Sequence, residues 1–179
     1  MYINPDVQSS YKANDLGRFL YNTVILTKPQ KIIEFGTLNG YSAICMAQGL
    51  RDLGRGGQII CYDLWEKYPF KNSTKENCLS NIKKYGLEDY ITLIEQDFYN
   101  WKFEAFDLMH FDISNHGKKI KDLYQNLRLD NMCTGIVLFE GGSRKRDQVP
   151  WMQDFLPINN LNINFVTMEE TFPSISLLL

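Results

Sequence analysis

KIIEFGTLNGY, residues Lys31 to Tyr41, opens as an apolar strand, stops on Glu34-x-Gly36 and reaches Gly40 four residues later, where helical spacing begins. A strand that ends on an acid and turns sharply through glycine leaves bare backbone amides and a helix N-terminus facing one crevice. That arrangement receives nucleotide-type ligands at the C-terminal edge of an α/β sheet. The glycines here follow Gly-x-x-x-Gly, whereas a dinucleotide fingerprint needs Gly-x-Gly-x-x-Gly, so the pyrophosphate cradle of a dehydrogenase is not spelled.

Outward from this turn, apolar strands and helical segments alternate almost to the C-terminus, which predicts an open, mostly parallel α/β sheet covered on both faces. The expected strands are Lys31–Phe35, Gln58–Asp63, 90–95, Phe106–Asp112 and Gly135–Phe139. Extended runs at 162–168 and 175–179 are joined by a link too short for a helical crossover, so they should pair as an antiparallel hairpin, with the last, apolar strand inside the sheet. Ser73-Thr74-Lys75-Glu76 reads as a capping box for a helix that stops at Gly86. Ile120, Leu123, Tyr124 and Leu127 share one helical face, and a further short helix is expected over 149–156 near Pro150. Upstream, Leu16, Phe19, Leu20 and Val24 recur at helical spacing between Asn14-Asp15 and Pro29; this helix packs beside the sheet or lids the pocket. Residues 1–179 are read as one domain, an N-terminal segment 1–30 and a core 31–179.

Composition limits the function classes. A chain of 179 residues, 44% hydrophobic, can bury one full core. A net charge of -2 with mixed signs throughout gives no field for a polyphosphate backbone, which argues against a nucleic-acid partner. No signal-length apolar run follows Met1 and no stretch approaches the ~20 residues of a membrane span, so a cytoplasmic protein without a membrane partner is expected. Cys45, Cys61, Cys78 and Cys133 share no metal-ligand spacing and read as reduced, packed thiols.

Each of the first five strands ends on or beside a carboxylate: Glu34, Asp63, Asp97, Asp112 and Glu140. One such acid is commonly a helix cap or turn former. Five along one sheet edge, where ligands bind, indicate a site. The order Glu34-x-Gly36-x-x-x-Gly40, then Asp63, then Gln96-Asp97-Phe98, then Phe106 through Asp112 resembles the class I S-adenosylmethionine-dependent methyltransferases, from Lys31 to the C-terminus. Phe106 to Asp122 resembles the small-molecule, catechol O-methyltransferase-like subgroup, whose strand-four acid is followed within a few residues by a histidine.

The resemblance implies a Rossmann-like three-layer sandwich with sheet order 3-2-1-4-5-7-6, strand 7 antiparallel. It implies S-adenosylmethionine as cofactor, with Glu34 toward the methionine amino group and Gly36, Thr37 and Gly40 around the methionine and ribose. Asp63 would accept both ribose hydroxyls, a role that also makes physical sense for a carboxylate facing two donors. Leu64 and Trp65 could cover the adenine, Asp97 would accept the adenine amino hydrogen, and Phe98 would pack on the ring. The alternative for Trp65 is an ordinary loop aromatic.

Methyl transfer from a sulfonium needs in-line alignment and removal of a proton, without a covalent nucleophile. Asp112 and the following loop, with His116 as candidate general base, lie where acceptor and methyl should meet; the alternative for His116 is a solvated loop histidine. His110 reads as a core histidine. Metal-dependent members of the subgroup hold magnesium with the strand-four acid and an Asp-Asn pair ending strand five, where this chain has Glu140-Gly141. Asp112 and Glu140, with Asn115, are the candidate magnesium ligands, and the alternative is a hydrogen-bonding pocket wall at Glu140. Arg144, Lys145 and Arg146 form a solvated face or draw in an anionic acceptor.

The expected activity is methyl transfer to a small-molecule hydroxyl, in a monomer or a homo-oligomer. An RNA or protein methyltransferase fits less well, since Asp112-Ile113-Ser114-Asn115 replaces the Asn/Asp-Pro-Pro-aromatic motif of amine methylation. A noncatalytic nucleotide-binding protein is the third reading.

Overall fold

The Lys31 run forms β1 (Lys31–Phe35), the first of seven strands; the others are β2 (Gln58–Asp63), β3 (Ile91–Glu95), β4 (Leu108–Phe111), β5 (Ile136–Glu140), β6 (Phe165–Thr167) and β7 (Ile175–Leu178). The computed structural model describes residues 1–69, 73–113, 116–129, 135–148, 156–169 and 175–179. Its sheet has the order β3-β2-β1-β4-β5-β7-β6. β7 runs antiparallel to both of its neighbours, which is the topology that the resemblance implied. The chain divides into two compact units, Met1–Lys102 and Phe103–Leu179.

In the first unit β1, β2 and β3 are parallel, with Glu34 level with Cys61 and Asp63 level with Glu95. β1 is buried over four of its five residues, as a strand covered on both faces must be. Helix α1 (Leu16–Thr27) packs on α2 (Tyr41–Leu53) through buried Leu16, Leu20 and Val24. Gly49 makes that close approach possible, since a Cβ there would lie 2.8 Å from Val24 Cβ. Of the two placements open to the N-terminal helix, it takes the one against a sheet-covering helix. Ahead of it, the Gln48 side-chain amide clips the Ile3 backbone in both directions, donating to its carbonyl at 2.9 Å and accepting from its amide at 2.8 Å.

Helix α3 (Lys75–Lys84) corrects one expectation. Thr74, not Ser73, caps it, accepting from the Asn77 amide at 3.1 Å. Ser73 is instead drawn to the β1–α2 turn, where its hydroxyl meets Asn39 Oδ1 at 2.6 Å. The helix ends at Lys84, two residues before Gly86, whose φ of +61° suits the expected stop. Cys45, Cys61 and Cys78 are buried and unpaired with one another, while Cys133 lies outside the described residues.

In the second unit β4 and β5 are parallel, with Phe111 level with Phe139. Helix α4 (Gly117–Leu129) buries Ile120, Leu123 and Leu127 as its spacing predicts. β7 lies between β5 and β6, and its Ile175 and Ser176 are buried. Gly142, at φ +87°, passes so close to the hairpin that a Cβ would lie 2.5 Å from Ser176 Oγ. The basic run itself forms a short helix, α5 (Arg144–Asp147). Glu169 Oε1 stands at its N-terminus, accepting from Ser143 Oγ at 2.9 Å, and so offsets positive charge at that end. Residues 149–155 of the expected later helix lie outside the described set. Among the described residues no helix is long and apolar enough to cross a membrane.

Candidate functional site

Gly36 carries the β1 ladder one residue further, its amide donating to Tyr62 O at 3.0 Å, and then leaves the strand at φ +85°. Gly40, at φ +87°, closes the turn with its amide on Thr37 O at 2.8 Å and opens α2 without any side-chain cap. A Cβ at Gly40 would approach Cys78 Sγ to 3.1 Å on top of the unfavourable φ, so glycine is needed twice over. Thr37 is 3% exposed, with its hydroxyl buried beneath the turn. Beneath the turn Glu34 is fully buried, with the Cys61 thiol donating to its Oε2 at 3.5 Å. Burial, then the Glu34 charge, pushes the Cys61 thiol up, so it remains a protonated donor.

Asp63, the last residue of β2, is fixed at both oxygens. Its Oδ2 accepts from the Leu38 amide at 2.7 Å and its Oδ1 from the Trp65 amide at 2.8 Å. A carboxylate has about four acceptor positions, so each oxygen can still take a hydroxyl. The two residues that it holds are both left-handed, Leu38 at φ +51° and Trp65 at φ +40°, which costs an L-residue roughly 1–2 kcal/mol each. Trp65 Nε1 also donates to Leu38 O at 3.0 Å.

The indole is only 2% exposed, with the Lys75 ammonium 5.6 Å from its ring centroid. Trp65 is enclosed under the turn, which of its two expected roles, adenine cover and ordinary loop aromatic, favours the second. Leu64 is half-buried beside it. Asp97 Oδ1 accepts from the Tyr99 amide at 2.8 Å and caps a single 3-10 turn. Phe98, 5% exposed, packs edge-on against Phe35 with ring centroids 5.3 Å apart.

The remaining candidates belong to the second unit. Continuing the β4–β5 register by one residue sets Asp112 level with Glu140 at neighbouring strand ends. His110 is fully buried on β4, as a core histidine. His116 precedes α4, and its Nδ1 accepts from the Lys118 amide at 3.1 Å. That bond puts the neutral ring's proton on Nε2. Among the described residues no three His, Cys, Asp or Glu side chains group as metal ligands, and Asn115 lies outside them. Asp112 and Glu140 are the two described carboxylates that could hold a magnesium ion, which is commonly bound by one or two carboxylates with waters completing its shell.

Sequence alone singled out Asp63, Thr37 and the glycines, and the structure brings them together with Leu64 and Trp65. It missed Leu38 and Ser73, for which a leucine in left-handed backbone and a serine ahead of a helix carry no distinguishing signal.

A seven-stranded sheet in this order, with the glycine turn and a β2-terminal acid at one edge, defines a Rossmann-like fold of the class I S-adenosylmethionine-dependent methyltransferase type. The chain belongs to the methyltransferase-domain family, whose model matches residues 33–140, more than half of its length. A comparison with curated sequences gives no match.

Solved structures share the fold. The S-adenosylhomocysteine-bound methyltransferase PaMTH1 of Podospora anserina superposes with a TM-score of 0.68 at 19% identity, over 95% of this chain and 78% of that one. The O-methyltransferase of Bacillus cereus in complex with S-adenosylhomocysteine gives 0.63 at 19%, over 97% and 83%. The O-methyltransferase TomG of Streptomyces achromogenes, involved in tomaymycin synthesis and complexed with S-adenosylmethionine, gives 0.61 at 18%, over 98% and 82%.

Proposed function

We propose that the protein transfers the methyl group of S-adenosylmethionine to a hydroxyl oxygen of a small molecule. The observation that carries this reading is the Asp63 carboxylate, pinned by two backbone amides with acceptor capacity left on both oxygens. A vicinal ribose diol is the donor pair that such a group suits. The residues around it fit the rest of the cofactor. The uncapped N-terminus of α2 offers donors to a methionine carboxylate. Leu64 offers an apolar surface to the adenine and Asp97 an acceptor to its amino group, while Glu34 and Trp65 support the turn from below. The solved relatives complexed with S-adenosylhomocysteine or S-adenosylmethionine support the choice of ligand.

When bound, the cofactor supplies an activated methyl on a sulfonium. The chain has to orient the acceptor oxygen in line and take its proton. Asp112, at the mouth of β4, is proposed to take that proton, and Glu140, level with it on β5, to accept a second hydrogen bond from the acceptor. His116 is proposed to contribute its Nε2–H as a donor to the acceptor, since Nδ1 is engaged by Lys118.

Incubation with methyl-labelled S-adenosylmethionine and a panel of small hydroxylated acceptors tests this. Label on an oxygen, with S-adenosylhomocysteine formed in equal amount and a rate that survives a chelator, is the expected result. Label only on nitrogen, RNA or protein would overturn the acceptor class, and a rate abolished by the chelator would return Asp112 and Glu140 to the role of metal ligands.

A further inference from the structure

We propose that Trp65, although enclosed and out of a ligand's reach, is a positioning residue that sets cofactor affinity by clamping Leu38 and, through it, the Asp63 carboxylate. The inference rests on the cofactor reading above and adds a residue to it. Leu38 and Trp65 are both non-glycine residues in left-handed backbone, at φ +51° and +40°. Their amides are held by the two oxygens of one carboxylate, at 2.7 and 2.8 Å. The ring closes a circuit from Asp63 to the Trp65 amide, through the indole N–H to Leu38 O at 3.0 Å, and from the Leu38 amide back to Asp63.

A leucine without such restraint would relax to φ < 0, since only glycine visits the left-handed region freely. Relaxation would turn the Leu38 amide away and release Asp63 Oδ2. The carboxylate could then rotate, and its remaining acceptor positions would no longer face one diol. Ser73 does not duplicate the clamp. Its one hydroxyl proton has a shorter acceptor in Asn39 Oδ1, at 2.6 Å, than in Leu38 O, at 3.2 Å. Ser73 fixes Asn39 while Trp65 fixes Leu38, so the two sides of the turn have separate supports. The Lys75 ammonium over the indole holds the ring without competing for its N–H.

The test is a double-variant cycle. Trp65→Phe keeps an aromatic ring in the enclosure and removes the N–H. It is expected to raise the Kd for S-adenosylhomocysteine about tenfold, the size of one lost hydrogen bond. Leu38→Gly removes the strain that the clamp opposes. In the Leu38→Gly background Trp65→Phe should therefore change Kd by less than about twofold. A tenfold loss in both backgrounds would make Trp65 a packing residue, and no loss in either would show that it has no role; both overturn the proposal.

Thermal unfolding of the four unliganded proteins separates this from the cofactor reading. If the wild type binds no S-adenosylhomocysteine, the cofactor reading fails, while the clamp is still judged by whether Trp65→Phe lowers Tm more with Leu38 present than in the Leu38→Gly background. Equal Tm shifts would sink the clamp by itself. Should Trp65→Phe alone not fold, the double variant is expected to fold, and its failure as well would count against the proposal.

Discussion

At His116 one hydrogen bond decides what the side chain can do. With Nδ1 accepting from the Lys118 amide, the ring caps α4 and carries its proton on Nε2, so it offers a donor where a general base must offer a lone pair. Asparagine can accept the same amide bond, whereas alanine cannot. His116→Asn is expected to keep thermal stability and hold kcat within about tenfold, while His116→Ala costs roughly 1 kcal/mol of stability through the lost cap. Unfolding curves and steady-state kinetics check it. A loss of 10² or more in kcat in both variants, on the scale of about 10²–10⁴ for a removed base, would make His116 the base and displace Asp112.

This scale also shows what a sequence can carry. Asp63 and Gly40 were legible because a strand-terminal acid and a glycine at a forced turn each mark a local physical demand. Leu38 was not, because nothing in a leucine announces a positive φ imposed by three partners distant in sequence. The sequence leaves Trp65 between adenine cover and ordinary loop aromatic because an aromatic beside a site has two roles that only burial separates.

At the scale of elements, α2, β2 and α3 each bury one thiol in the first unit. Burial pushes Cys45 and Cys78 up to about 12 from an ordinary 9.0, and drives Cys61 upward as well. A folded-state pKa above the unfolded value means that the unfolded chain loses its thiol protons first. The stability these thiols contribute is complete below about pH 9 and is lost as pH rises toward 12. Unfolding midpoints in denaturant should accordingly be flat in this respect below pH 9 and fall above it. Cysteine-to-serine or cysteine-to-alanine changes at position 45 or 78 should shallow that fall, and an unchanged slope would contradict the buried-thiol account.

The elements themselves were legible in type and order. Alternating apolar runs and helical stripes gave β1 through β5, and the short link at 169–174 forced an antiparallel β6–β7 pair. Ends were less so. Ser73 and Thr74 are equivalent candidates for a cap until the turn at Asn39 draws one of them away. The basic run at 144–146 gave no sign of becoming a helix because the compensating acid, Glu169, comes from 25 residues downstream and reaches α5 only in the fold.

For the whole molecule, the strand order and the match of the family model to residues 33–140 make this a methyltransferase-fold protein, and the first unit contains the groups proposed to hold its cofactor. That half was readable because binding one invariant ligand recurs as a pattern of glycines and acids. The acceptor half was not, because each acceptor demands its own wall, and side chains such as Asp112, His116 and Glu140 serve many chemistries.

The Asp63 corner is proposed to receive the ribose of S-adenosylmethionine. Calorimetric titration of the wild type and Asp63→Asn with S-adenosylhomocysteine, S-adenosylmethionine and NAD tests it most directly. Both sulfur ligands should bind the wild type and NAD should not. Asp63→Asn should weaken both by about 10- to 100-fold, because its amide nitrogen would confront the Leu38 or Trp65 N–H and one acceptor is lost. Tight NAD binding with no response to either sulfur ligand, or unchanged affinities in Asp63→Asn, would rule out a ribose site at Asp63.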